Sequence, residues 1–137
     1  MEHIERIGIS LERGLLSAFD KMIEKQGYEN RSQAIGDLIR QQLGRELLAE
    51  PETNAIGTVC LVYDHHSTKL MQKLTEMQHS HLLQVICSMH VHVDLLICME
   101  VIVLKGMAGA INKTAEYLLS QKGLKLGQIS LLPTKLV

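Results

Sequence analysis

The stretch that most constrains this chain lies near its start. Residues 5–11, Glu-Arg-Ile-Gly-Ile-Ser-Leu, put Ile7, Ile9 and Leu11 on one side and Arg6, Gly8 and Ser10 on the other. A period of two marks a half-buried strand. The period then changes. Leu15, Phe19 and Met22, with Leu16 and Ile23 beside them, form one apolar stripe that predicts a helix over 12–26. Gly27 stands where a C-terminal cap belongs. Asn30 suits an N-cap, with Gln33 three residues on. It opens a second helix over 31–48, whose Ile35, Leu38, Ile39 and Leu43 face inward. One strand and two helices cannot close a fold, because a lone strand keeps two unpaired edges. Pairing with the same strand of a second chain satisfies one edge and creates a two-fold dimer.

In such a dimer Ile7, Ile9 and Leu11 lie on the helices, while Arg6, Gly8 and Ser10 face outward. A two-stranded ribbon of this kind fits the major groove of DNA. The charge does not advertise that use. Residues 1–50 hold seven Lys/Arg against nine Asp/Glu, a net charge of −2. The usual basic footprint is missing. Contact with nucleic acid has to come from a few well-placed groups, and long-range repulsion makes unassisted binding weak and salt-sensitive.

Residues 49–55, Ala-Glu-Pro-Glu-Thr-Asn-Ala, read as a linker. The remainder, 56–137, reads as strand (56–63), helix (67–79), strand (83–93), strand (98–105), helix (108–122) and strand (125–132). Gly106, Gly109, Gly123 and Pro133 punctuate the ends. The order βαββαβ is a split-βαβ, ferredoxin-like pattern with helices on one face of an antiparallel sheet. The whole chain is therefore α+β. Hydrophobic residues make up 46% and aromatics 3%, so the core is aliphatic. No apolar run reaches the roughly 18 residues of a transmembrane helix, and the charged N-terminus lacks a signal-peptide core. Cys60, Cys87 and Cys98 leave an odd count without disulfide spacing, which fits a reducing cytoplasm.

The chemistry gathers in one hairpin. His90-Val91-His92 places two imidazoles on one side of a strand, about 7 Å apart at their bases. Cys98 opens the next strand and returns beside them. Two imidazoles and a thiolate make three ligands, with a fourth from His79 or His81, of the same chain or of a partner. An isolated His-x-His is otherwise just two side chains on a solvated sheet face. His65-His66 reads as a solvated pair at a strand end. Cys60 and Cys87 read as small core residues, and Met71, Met77, Met89, Met99 and Met107 as core filler. Nitrogen donors with one thiolate exclude Mg²⁺ and Ca²⁺. Zn²⁺ favours a tetrahedron, whereas Ni²⁺ and Cu²⁺ accept a plane. The spacing alone does not choose among them.

In this order the segments resemble the nickel-responsive repressor (NikR) family almost end to end. They are Arg6-Ile7-Gly8-Ile9-Ser10-Leu11, Gly27-Tyr28-Glu29-Asn30-Arg31-Ser32-Gln33-Ala34-Ile35 and Tyr63-Asp64-His65. Gln78-His79, His90-Val91-His92, Cys98 and Glu100, and Val103-Leu104-Lys105-Gly106 follow. The resemblance implies a ribbon-helix-helix DNA-binding domain over 1–48 and an ACT-like metal-binding and tetramerisation domain over 56–137. It implies a homotetramer, a dimer of dimers, acting as a nickel-dependent repressor of nickel uptake genes on a double-stranded operator with palindromic half-sites. It assigns Ni²⁺ to His90, His92 and Cys98 of one subunit in a plane, completed by His79 of a neighbour. Tyr63 and Glu100 belong to the shell that orients these ligands. Arg6, Gly8 and Ser10 map to base-reading positions, and Asn30, Arg31 and Ser32 to a phosphate contact at a helix N-terminus.

Three positions depart from the family pattern. Gly8 stands where threonine is common, which removes a base contact. Gln33 replaces a frequent glutamate that, with Asp37, helps form a secondary cation site in some members. The Leu95-Leu96-Ile97 connection is unusually apolar and packs under the sheet or against another subunit. Other readings are the same architecture sensing Cu, Zn or Co, an ACT-type regulator sensing a small molecule, and a small zinc hydrolase with Glu100 as general base.

Overall fold

The computed structural model describes residues 3–78 and 84–136. The chain divides into two compact units, one running through Gln41 and one beginning at Gln42.

The first unit holds helix α1 (Arg13–Lys25) and most of helix α2 (Arg31–Leu48). Both boundaries are written in local hydrogen bonds. Gly27 takes φ 78°, a left-handed conformation in which a side chain is strained. The Gly27 amide then donates to Glu24 O at 3.1 Å and the Tyr28 amide to Ile23 O at 3.0 Å. That pair closes the end of α1 as a Schellman motif. Asn30 accepts from the Gln33 amide through Oδ1 at 2.9 Å and so caps α2. Asp20 of α1 and Arg31 of α2 join through two parallel bonds of 2.8 Å, Nε to Oδ1 and Nη2 to Oδ2.

Residues 3–12 join no ladder among the described residues. A strand exists only against a partner, and the strand expected at 5–11 finds none in its own unit. Its apolar side is accordingly bare, with Ile7 72% exposed. Ile7 and Ile9 line an open groove with Ile35 and Ile39. Among the described residues of this unit, only Ile23 and Ala34 are buried hydrophobics.

The second unit carries β1 (Asn54–Asp64), α3 (Thr68–Gln78), β2 (Gln84–His92), β3 (Ile97–Met107), α4 (Ala108–Leu119) and β4 (Leu124–Pro133). The strands form one antiparallel sheet in the order β2-β3-β1-β4. This is the expected βαββαβ ferredoxin-like arrangement. Strict alternation along β1 and β3 sends Val59, Leu61, Tyr63, Cys98, Ile102 and Leu104 to one face. There they join Leu70 and Leu74 of α3 and Ile111, Ala115 and Leu118 of α4 in one core. Helix α4 sits so close to β4 that a Cβ on Gly127 would lie 2.1 Å from Leu119 Cδ2.

The opposite sheet face is open among the described residues of this unit. Leu126 is 71% and Leu132 65% exposed there, with Ile56 and Met89 also open. Two expectations change on this side. Cys87 is exposed and Cys60 half-buried rather than core. Met89 and Met107 are exposed, whereas Met71 and Met77 do pack on the core. The apolar side chains are present, but the described residues of this unit do not bury them.

Candidate metal centre

Antiparallel register builds the site. His92 pairs with Cys98 and His90 with Glu100 across β2–β3, while Tyr63 of β1 pairs with Cys98. Directly paired residues share a face, so His90, His92, Cys98, Glu100 and Tyr63 all stand on the helix-bearing side. A bulge makes this possible. Val85 pairs with Leu104 and Cys87 with Val103, leaving Ile86 as an extra residue. Val85 and His90 are five apart, an odd spacing that an unbroken strand would send to opposite faces. The inserted residue resets the parity and turns both histidines inward.

The hairpin between β2 and β3 is tied by Asp94, whose Oδ1 accepts from the amides of Leu96 at 2.7 Å and Ile97 at 2.8 Å. Leu95 at its tip is 91% exposed, so this apolar connection does not pack under the sheet of its own chain.

Side-chain contacts orient the ligands. The Tyr63 hydroxyl donates to Glu100 Oε2 at 2.9 Å. With its proton engaged, its oxygen is left to accept from His90 Nδ1, 3.3 Å away. His90 therefore carries its proton on Nδ1 and leaves Nε2 as a lone-pair donor. Burial, and then the Glu100 carboxylate, push the Tyr63 hydroxyl above its ordinary pKa, which keeps this proton in place. Cys98 is fully buried. Burial first, with Asp64, Asp94 and Glu100 adding to it, raises the pKa of its thiol. The sulfur lies 3.6 Å from His92 Nδ1.

The cluster holds one member more than the motif suggested. His65 Nδ1 lies 3.1 Å from Cys98 Sγ, and its ring centroid is 4.9 Å from that of His92. His65, His90, His92 and Cys98 each offer a donor atom, and all of these lie within 4.8 Å of one another. The reading of His65 as a solvated strand-end residue is corrected here. Its amide donates to Leu96 O at 2.7 Å, which draws it against the hairpin. The signal was available: His65 is two residues beyond Tyr63 and keeps its face. His79 and His81 lie outside the described residues.

The other expected site residues belong to the first unit. Arg6, Gly8 and Ser10 are exposed. A Cβ on Gly8 would meet nothing within 4 Å. Asn30 is occupied as the cap of α2, and the Arg31 guanidinium is held by Asp20. Asp37 is paired with Arg40 and hydrogen-bonded to Tyr28. Arg40 and Tyr28 both hold its carboxyl below the usual range, so the chain already sets a guanidinium against this carboxylate.

Three imidazoles and a thiolate suit a borderline or soft transition ion rather than Mg²⁺ or Ca²⁺. The buried sulfur, the shared face and the lone pair fixed on His90 all fit such an ion. Fold and site are those of a two-part protein: a helical unit with an exposed N-terminal arm, and an α+β unit whose His/Cys cluster could hold a metal ion. Residues 5–46 match the model of ribbon-helix-helix proteins of the copG family, and residues 56–132 match that of the NikR C terminal nickel binding domain.

Full-length relatives agree. The chain is 47% identical over 131 residues to a protein of Trichlorobacter lovleyi, covering 96% of this chain and 94% of the relative. It is 44% identical over 130 residues to one of Lawsonia intracellularis, covering 95% and 94%. It is 41% identical over 131 residues to one of Thermococcus onnurineus, covering 96% and 95%. All three are named as nickel-responsive regulators. This chain belongs to the nickel-responsive regulator family. That family consists of transcriptional regulators, not enzymes, which sets aside the hydrolase reading. No helix among the described residues is long and apolar enough to cross a membrane.

Proposed function

We propose that this protein is a nickel-responsive DNA-binding repressor, acting in the cytoplasm on nickel uptake genes. The observation that carries the reading is the convergence of His90, His92 and Cys98 on one sheet face, within a chain whose other unit has an exposed apolar N-terminal arm. His90, His92 and Cys98 would hold Ni²⁺, with His79 of a neighbouring subunit as a further donor, and the shared ion would tie the two subunits together. Tyr63 and Glu100 fix the orientation of His90.

The functional units are a DNA-binding domain over 1–48, a linker over 49–55 and a metal-binding and tetramerising domain over 56–137. Two copies pair through residues 5–11, which covers Ile7 and Ile9, and two such dimers form a homotetramer. Arg6, Gly8 and Ser10 face the bases of each palindromic half-site. The first-turn amides of α2, at Asn30, Arg31 and Ser32, hold a phosphate. At Asp37 the secondary cation site of some members is replaced by Arg40 of the same chain.

Regulation is a shift of population. Metal favours the arrangement of ribbons that reaches both half-sites, in proportion to its differential affinity for the arrangements. Operator DNA then tightens nickel binding by the same factor that nickel tightens DNA binding.

Titrating metal-free protein with Ni²⁺ tests this. The expected result is a charge-transfer absorption band reaching one equivalent per chain, absent in Cys98→Ser, with operator binding in a gel shift that requires nickel. Nickel-independent operator binding, or a band that Cys98→Ser leaves intact, overturns the reading.

A further inference from the structure

We propose that residues 51–54 form a strap, hydrogen-bonded to helix α4, through which nickel binding at the metal centre reaches helix α2. The proposal rests on the repressor reading above and names the route of its regulation. The division between the two compact units falls between Gln41 and Gln42, inside α2. The last turns of that helix therefore belong with the metal-binding unit, and so does the whole segment proposed as the linker.

Thr53 is the centre of the strap. Its hydroxyl donates to Leu47 O at 2.6 Å, in the last turn of α2. Its carbonyl accepts from the Ala108 amide at 2.8 Å, and Pro51 O accepts from the Gly109 amide at 2.9 Å. The start of a helix leaves amides without a partner inside the helix, and Met107 at the N-cap of α4 makes no side-chain hydrogen bond. The strap carbonyls fill that role. One half-buried threonine thus closes the end of α2 and the start of α4 at once. Packing agrees with the hydrogen bonds. Leu48 packs against the core. A Cβ on Gly44 would meet Pro133 and Leu136 at 3.7 Å, and one on Gly109 would lie 2.9 Å from Pro51 Cβ.

The strap stands at one end of the ladder whose other end is the metal centre. β1 and β3 pair from Asn54–Met107 through Tyr63–Cys98 without a register shift. From Cys98 to Met107 the strand spans about 30 Å, and it passes directly into α4 at Ala108. A displacement of β3 as Cys98 takes up an ion arrives at the amides that hold Thr53 and Pro51. A flexible linker would not carry it further, whereas a bonded strap passes it to the end of α2.

The test uses the full chain as wild type, Thr53→Val, Gly109→Ala and Ser120→Ala, with a DNA duplex selected from a random pool by nickel-loaded wild type. Thr53→Val removes the bond to Leu47, and Gly109→Ala displaces Pro51. Ser120→Ala removes a bond of the same kind, to Tyr117 O, at the far end of α4. Nickel affinity is read from the charge-transfer band without DNA. Gel shifts with and without nickel give duplex affinity, and amide hydrogen exchange reports on residues 49–55. The expected result in wild type is slow exchange over 49–55, slowed further by nickel. In Thr53→Val and Gly109→Ala that exchange is faster and indifferent to nickel, while nickel affinity stays within about twofold of wild type, as for distant sites. The gain in duplex affinity on adding nickel falls by about fivefold or more in both, the lower end of ordinary coupling between sites, and is kept in Ser120→Ala. An unchanged gain in the two strap variants overturns the proposal, as does an equal loss in Ser120→Ala. Wild type whose duplex binding ignores nickel strikes the repressor reading instead. The nickel effect on exchange over 49–55 then decides the proposal by itself: a slowing supports it, and no change overturns it.

Discussion

Single side chains decide how ready the metal centre is. Tyr63 links a buried carboxylate to a ligand: it donates to Glu100 and faces His90 Nδ1 at 3.3 Å. Tyr63→Phe keeps the ring and removes both contacts, leaving His90 free to turn and to change tautomer. Nickel affinity should fall by about 10–100-fold, as for other residues that orient a metal ligand. A competition titration against a chelator of known affinity checks this, and an affinity within twofold of wild type would show that Tyr63 only packs. Gly8 is the opposite case, a side chain left out. Open space surrounds the position a Cβ would take, and the backbone there is not left-handed. Gly8→Thr should therefore change stability by less than about 0.5 kcal/mol while altering which operators are bound. Selection from a randomised operator pool reads that change, and an identical selected sequence would remove Gly8 from the reading face.

Elements are mostly legible in the sequence, because long periodic segments with capping residues leave little choice. The α2 span of Arg31–Leu48 and the break at Gly27 follow from Asn30 and from one glycine. The hairpin that joins His92 to Cys98 followed from spacing. Two things did not. His65 was hidden because a strand end looks solvated until its neighbour is known, and here the neighbour is Leu96 of another hairpin. The bulge at Ile86 was hidden because parity along one strand says nothing about an inserted residue. That bulge is open to test. Deleting Ile86 shortens the step from Val85 to His90 to an even number of residues, so the ladder becomes regular with Val85 and both histidines still on the core-facing side. The deletion variant is expected to stay folded by circular dichroism and to keep the nickel band. A lost band would mean that the local twist of the bulge, and not parity alone, sets the site.

At the scale of the whole molecule, the described residues of each unit leave apolar surface open. Among its described residues the first unit buries only Ile23 and Ala34 as hydrophobics, while Ile7, Leu38 and Ile39 stand exposed. The second unit has a sheet face with Leu126 and Leu132 open. Water contact across such surfaces costs about 25 cal/mol per Å² of apolar area, and a contiguous patch of this kind marks an interface. The two faces lie on different units, so they can be occupied by different copies, which is how a dimer of dimers is built. Charge gives no competing drive: the chain carries only −1 overall. Placing a charge on the sheet face separates the two contacts. Leu126→Lys should leave the residue 5–11 pairing intact and lower the assembly from four chains to two. Light scattering measures that mass directly. The same variant should lose nickel-dependent operator binding, because the link between subunits that metal is proposed to make has no second dimer to act on. A Leu126→Lys protein that remains a tetramer would move the interface to another surface, with the exposed Leu95 and Leu96 of the β2–β3 hairpin next in line.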